Sequence, residues 1–226
     1  MTFKAIAYDL DDTLIDTSGV LVPIASRAAY DAMSALGLRA SFEDFENGRR
    51  LGALSMSHQK IFHKLADQYG QPATPEMVQA GIQAFYSPPL PAQLHLLPGA
   101  LENLKLLSPR CPLFLVTSGI VETQKEKAKR AQLSSYFQGL YFLNSLAKER
   151  KRVAFADILA RLKIQPPELL VIGNRLSQEI RDGKELGCTT CYFKYGEHVG
   201  EVPQDQLEVA DFEILNHKDF VSTCRL

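Results

Sequence analysis

The 226-residue chain has no surplus of either charge: 25 Lys and Arg stand against 26 Asp and Glu, for a net charge of −1. That balance removes the electrostatic basis for binding nucleic acid or an anionic membrane surface, so neither is expected as a partner. No stretch reaches the roughly 20 apolar residues that a membrane span requires. The opening run MTFKAIAYDLDD ends a short apolar stretch in acids, unlike a secretory leader, and a cytoplasmic location is expected. Internal repeats and low-complexity segments are absent. Cysteine is sparse, at Cys111, Cys188, Cys191 and Cys224. GCTTCYF has CxxC spacing but no second ligand pair, and it lies in a β-branched apolar run. Buried structural thiols are expected there rather than a redox or zinc centre. His58 and His63, five apart, fall on different faces of a helix and are not expected to share a metal.

Two kinds of territory follow. Phe3 to Tyr8 reads as an apolar strand. From Gly19 to about Tyr86 the pattern is helical, with Ile24, Ala28, Ala32 and Leu36 at four-residue spacing. A block with Phe42, Phe45, Leu51, Leu54, Phe62 and Leu65 comes next, then Val78, Ile82 and Phe85. The proline-rich SPPLPAQLHLLPG is a connector. Beyond it strands PLFLV, GLYFL, LLVIG and TTCYF alternate with helices, one of them the charged TQKEKAKRAQL and another Leu176 to Gly187. Such alternation predicts an α/β fold: a Rossmann-like parallel sheet covered on both faces. The first strand must join that sheet to bury its two apolar sides. Residues 1–15 and 98–226 are therefore assigned to the core, and residues 16–97 to an inserted helical cap.

In an open parallel sheet, ligands bind beyond the carboxyl ends of the strands. Asp9, Asp11 and Asp12 crowd at one such end. Thr117, Ser118 and Gly119 follow PLFLV, and Gly173 and Asn174 follow LLVIG. A basic cluster, Lys148, Arg150, Lys151 and Arg152, opens the helix after GLYFL. Carboxylates this close raise one another's pKa unless a cation sits among them, and hard oxygen donors suit Mg²⁺. DLDDT can also be read as an ordinary loop, VTSG as a helix cap and the basic run as a solvated face.

With these motifs in order, the sequence resembles the haloacid dehalogenase superfamily, whose members are mostly phosphatases. Asp9, Asp11 and Thr13 match its DxDxT motif, and Thr117 matches the hydroxyl residue that ends a later strand. The resemblance implies that Asp9 is the nucleophile, forming an aspartyl-phosphate, and that Asp11 is the general acid and base. Thr117 and the backbone N–H groups of Ser118 and Gly119, taken as a helix start, would hold phosphoryl oxygens, with Thr13 beside them. Asp9, Asp11, Asn174 and Glu179 would bind Mg²⁺, Asp11 also through its carbonyl. Side chains 9 and 11 are expected to grip the ion together.

Two departures stand out. Asn174 and Glu179 in IGNRLSQEI replace the family's acidic pair, removing one negative charge. No Lys-Pro occurs, so the phosphate-clamping lysine is Lys151 in KRVAF, with Lys148 the competitor. DTSGV and SPPLP would be the hinges of a closing cap. Arg49 and Arg50 are expected to face solvent, and Arg175 either to meet anions or to point outward. The expected function is a Mg²⁺-dependent phosphatase acting on a small phosphorylated metabolite. A phosphomutase or other transfer chemistry, and a non-catalytic binding module, are the alternatives. Asp11 argues against dehalogenation, which has no leaving oxygen to protonate.

Overall fold

A computed structural model describes residues 3–53, 56–70 and 72–226; Leu54, assigned above to the helical block, lies outside them. Six strands among the described residues form one parallel sheet: β1 (Ala5–Tyr8), β2 (Leu113–Gly119), β3 (Gly139–Asn144), β4 (Leu169–Gly173), β5 (Thr189–Phe193) and β6 (Phe212–Ile214). Their order is β3-β2-β1-β4-β5-β6. The side chains of β1 are at most 1% exposed, as a strand needs when both its edges are paired and both its faces covered. Ala5 and Ala7 turn to one face with Phe114, Val116 and Val171. Tyr8 turns to the other, edge-on to Phe137 and Phe220. The order reverses at β1, so the crevice beyond its carboxyl end is flanked by the ends of β2 and β4.

The chain divides into two units, one of Ser18–Leu90 and one of everything else. The divisions fall inside DTSGV and SPPLP; residues 16, 17 and 91–97, assigned above to the cap, group with the sheet. The helical unit holds α1 (Val22–Ala35), α2 (Phe42–Ala53), α3 (His58–Tyr69) and α4 (Pro75–Tyr86). Thr74 caps α4 through the Met77 N–H at 3.2 Å, with Pro75 at the first turn. The buried stripe of α1 is Ala25, Ala29 and Met33, one residue along from the expected row, whose Leu36 is exposed. One residue is about 100° around a helix of 3.6 residues per turn, so the expected row flanks the core face instead of lying on it. Gly81 of α4 lets α1 approach, since a Cβ there would meet the Met33 sulfur at 2.6 Å. Arg49 is buried rather than solvent-facing: it pairs with Glu46 at 2.7 Å and lies over the Phe85 ring.

Around the sheet lie α5 (Ala100–Leu107), α6 (Val121–Arg130), α7 (Lys151–Leu162), α8 (Arg181–Glu185) and α9 (Phe220–Cys224). The expected helix from Leu176 is split into a π turn over Leu176–Ile180 and the short α8. No helix among the described residues is long and apolar enough to cross a membrane. Cys188 and Cys191 are buried free thiols.

Candidate active site

Backbone pairing continues one residue past β1, where the Asp9 N–H donates to the Ile172 carbonyl at 3.0 Å. The chain then turns tightly. The Leu10 carbonyl accepts from Leu14 at 2.9 Å and from Ile15 at 3.1 Å, and Asp12 adopts a left-handed φ of 55°. Asp tolerates that region better than most side chains. The turn brings positions 9 and 13 together, and Thr13 Oγ1 donates to Asp9 Oδ2 at 3.1 Å. The buried His217 fixes the same turn through an Nε2–H bond of 2.6 Å to the Thr13 carbonyl, and Asn103 holds the His217 carbonyl at 2.7 Å.

Lys151, the first residue of α7 and 4% exposed, ion-pairs with Asp9 Oδ1 and reaches Glu179 Oε1 at 2.5 Å. The three groups are nearly dry. Burial pushes the Asp9 carboxyl up to about 7 against the pull of Lys151, with Glu179 and Asp11 adding to the rise. Burial also disfavours the Lys151 ammonium, yet the two carboxylates outweigh it and hold its pKa above the ordinary value. Lys148 is exposed, with a left-handed φ of 57°. The rest of the basic cluster pairs at the surface: Arg150 with Asp182 and Glu185, Arg152 with Glu185.

Asp11 faces α6. Its Oδ1 accepts from Thr17 at 2.5 Å and Lys127 Nζ at 2.7 Å, and its Oδ2 from Gln124 Nε2 at 2.7 Å. Burial pushes this carboxyl up, but Lys127 and the three hydrogen bonds outweigh it and hold the pKa below the usual range. Gln124 Nε2 also donates to Thr117 Oγ1 at 2.5 Å. Thr117, Ser118 and Gly119 are strand residues, paired with Phe142, Leu143 and Asn144 of β3; α6 starts only at Val121. Their N–H groups are therefore not those of a helix start. The strand runs longer than expected because β3 reaches equally far.

Gln124 and Lys127 are not among the residues singled out from the sequence, where their helix reads only as a charged one. The available signal was their spacing: with Ala128 and Ala131 they make an i, i+3, i+4, i+7 row, and all four are buried. Asn174 is buried and donates Nδ2 to the Tyr195 carbonyl at 3.3 Å, which leaves Oδ1 as its acceptor end. Glu179 Oε2 accepts the Arg175 N–H at 3.0 Å. Arg175 is taken up by Glu201 at 2.6 Å and His198 at 3.0 Å.

Residues 3–187 match the model of the haloacid dehalogenase-like hydrolases. The chain belongs to that family. It is 28% identical to the glyceraldehyde 3-phosphate phosphatase of Methanopyrus kandleri, over 98% of this chain and 97% of that one. It is 31% identical to the protein of the same name from Pyrococcus abyssi, over 85% and 82%. A predicted phosphoglycolate phosphatase from Haemophilus somnus shares the fold, with a TM-score of 0.75 at 19% identity and 98% coverage of both chains. So does the magnesium-bound putative HAD-hydrolase YfnB of Bacillus subtilis, with a TM-score of 0.70 at 18% identity and 98% coverage of both.

The donor set of this haloacid dehalogenase-like chain fits a divalent cation through fewer side chains than expected. Among the described residues, no three His, Cys, Asp or Glu side chains converge as a metal cluster. The shared grip of side chains 9 and 11 is absent, because both Asp11 oxygens face Thr17, Gln124 and Lys127. Glu179 is committed to Lys151 and the Arg175 N–H. What remains is the Asn174 Oδ1 and the Asp11 carbonyl, with the Asp9 carboxylate as a donor that Lys151 and Thr13 already share, all hard oxygen donors. Burial, more than the neighbouring carboxylates Glu179 and Asp11, holds Asp9 near 7 even beside an ammonium. A hard cation beside the carboxylate would favour its charged form.

Proposed function

We propose that the chain is a phosphomonoesterase for a small phosphorylated metabolite, working through an aspartyl-phosphate on Asp9. The observation that carries the reading is the pairing of a buried carboxylate with a buried ammonium, Asp9 with Lys151, at the mouth of a parallel sheet. An Asp9 oxygen attacks phosphorus while Lys151 and the Thr117 hydroxyl balance charge on the phosphoryl oxygens. Asp11, ionised in the free chain, takes up the proton that a phosphate monoanion carries and gives it to the departing alkoxide. It then takes one from the water that attacks the aspartyl-phosphate, which returns Asp9 and releases inorganic phosphate. Ser118 and Gly119 line the approach from β2. Mg²⁺, bound through Asp9, Asn174 and the Asp11 carbonyl, would supply further positive charge beside the transferred group. Glu179 is a positioning residue in this scheme, holding the Lys151 ammonium at 2.5 Å.

The relatives named glyceraldehyde 3-phosphate phosphatases make three-carbon sugar phosphates the first substrates to try. The test is a phosphate-release assay on triose phosphates, glycolate and glycerate phosphates and nucleotides, with and without Mg²⁺, for the natural chain and Asp9→Asn. The variant should fold, by its circular dichroism, and release no phosphate above background. Undiminished turnover by folded Asp9→Asn would dismiss the covalent mechanism.

A further inference from the structure

The Gln124 amide touches both halves of the chemistry, and none of the motifs named above includes it. Its nitrogen carries two hydrogens. The two short contacts are Asp11 Oδ2 at 2.7 Å and Thr117 Oγ1 at 2.5 Å; the third, to the Ser118 carbonyl, is 3.3 Å. A hydroxyl oxygen that accepts from an amide keeps its own hydrogen for another acceptor, so Gln124 turns Thr117 into a donor. The two Asp11 oxygens are also made unequal. Oδ1 is held by an ammonium and a hydroxyl, Lys127 and Thr17, whereas Oδ2 meets only this neutral amide. A proton added at Oδ1 would displace a charge-assisted bond, the stronger kind; at Oδ2 it disturbs a neutral donor.

We infer that Gln124 is a positioning residue that presents Asp11 Oδ2 as the proton-carrying oxygen and, through the same nitrogen, orients the Thr117 hydroxyl towards the phosphoryl group. The inference rests on the phosphatase reading above. Gln124 is 2% exposed, and its stem lies against Gly119: a Cβ there would meet Gln124 Cγ and Cδ at 2.9 Å each. Gly119 therefore leaves room for this amide as well as lying beside the substrate's approach. Lys127 and Thr17 fix the carboxylate as a whole, and Gln124 sets which oxygen works.

The test exploits leaving groups. Protonation matters greatly for an alkoxide and little for p-nitrophenolate, and kcat/KM reports only the steps up to the first irreversible transfer. Gln124→Leu should lower kcat/KM about 30-fold for propyl phosphate and about 3-fold for p-nitrophenyl phosphate, the smaller factor being the Thr117 share. In an Asp11→Ala background the same substitution should cost only about 3-fold on either ester, because its larger effect acts through Asp11. Gly119→Ala, which crowds the amide without removing it, should show the same leaving-group bias. It stands in if Gln124→Leu does not fold. Equal losses on the two esters, or an undiminished loss in the Asp11→Ala background, overturns the role of Gln124 while leaving the phosphatase reading intact. Full turnover of propyl phosphate by Asp11→Ala overturns the Gln124 role together with the acid role of Asp11, whereas release of no phosphate from either ester by the natural chain overturns the phosphatase reading on which both rest.

Discussion

Lys151→Met removes one charge and keeps the length of the side chain, which isolates what the ammonium does. In the folded chain Lys151, Asp9 and Glu179 are 4%, 5% and 1% exposed. Breaking a buried pair from one side costs about 3–5 kcal/mol, because the remaining charge has lost its partner and has no water to replace it. Coulomb's law agrees: two charges about 4 Å apart at an effective dielectric of about 20 interact by about 4 kcal/mol. The loss should depend on pH. Asp9 titrates near 7 in the native state against 3.8 ordinarily. A raised acid contributes stability below its unfolded pKa and loses that contribution as pH rises through the folded value. Without Lys151 only influences that raise Asp9 remain, namely burial, Glu179 and Asp11, so the deficit must widen from pH 5 to pH 8. The chain has no Trp, so urea unfolding is best followed by far-UV circular dichroism. With a slope of roughly 2–3 kcal/mol per M, the midpoint should fall by about 1–2 M at pH 8 and by about 0.5 M less at pH 5, because the one pH unit above 7 is worth about 1.4 kcal/mol. A shift below about 0.3 M at pH 8, or equal shifts at the two pH values, would refute the buried-pair argument.

Lys148→Ala should leave kcat/KM within about twofold of the natural value, since an exposed lysine apart from the carboxylates gives up only surface charge; a loss beyond tenfold would return it to the site. Lys127→Met should move the acid limb of the kcat–pH profile to higher pH, because burial then dominates the Asp11 carboxyl; an unmoved limb would mean that Lys127 does not tune it. Asn174→Asp should tighten Mg²⁺ binding by restoring a carboxylate among the oxygen donors. Isothermal titration showing equal or weaker binding would put Asn174 outside the metal's reach.

The parts of the site that the sequence discloses are those written along one strand exit. Asp9, Asp11 and Thr13 are legible because a strand apolar on both faces that ends in three acids is chemically odd, and the oddity is local. Lys151 could be approached but not separated from Lys148, since the choice depends on where α7 begins. Its first residue is Lys151, whose ammonium reaches Asp9 at the end of β1. Thr117 was legible as a residue and misread as a setting, because the end of β2 is decided by β3, twenty-five residues later. The partners of Gln124, Lys127 and His217 were out of reach for one reason: they lie 113, 116 and 204 residues away respectively.

The short strand β6 and helix α9 went unread for a related reason: three and five residues carry no period to detect. Yet the segment joining them carries His217, which ties the far end of the chain to the Thr13 carbonyl and so to the turn that aims Asp9. Burial holds His217 below its usual pKa against a smaller rise from Thr13. A neutral ring that donates Nε2–H to a carbonyl has only Nδ1 left as an acceptor, and Asn103 Nδ2 lies 3.5 Å from it. The Asp9 turn is thereby braced from both sides, by Lys151 on the carboxylate and by His217 on the backbone. The first brace is electrostatic and fails when charge is removed. The second is a hydrogen bond to the main chain, indifferent to the charge on Asp9. In the mechanism proposed above Asp9 loses its charge to phosphorus and regains it in each turnover, and such a residue needs a support of that second kind.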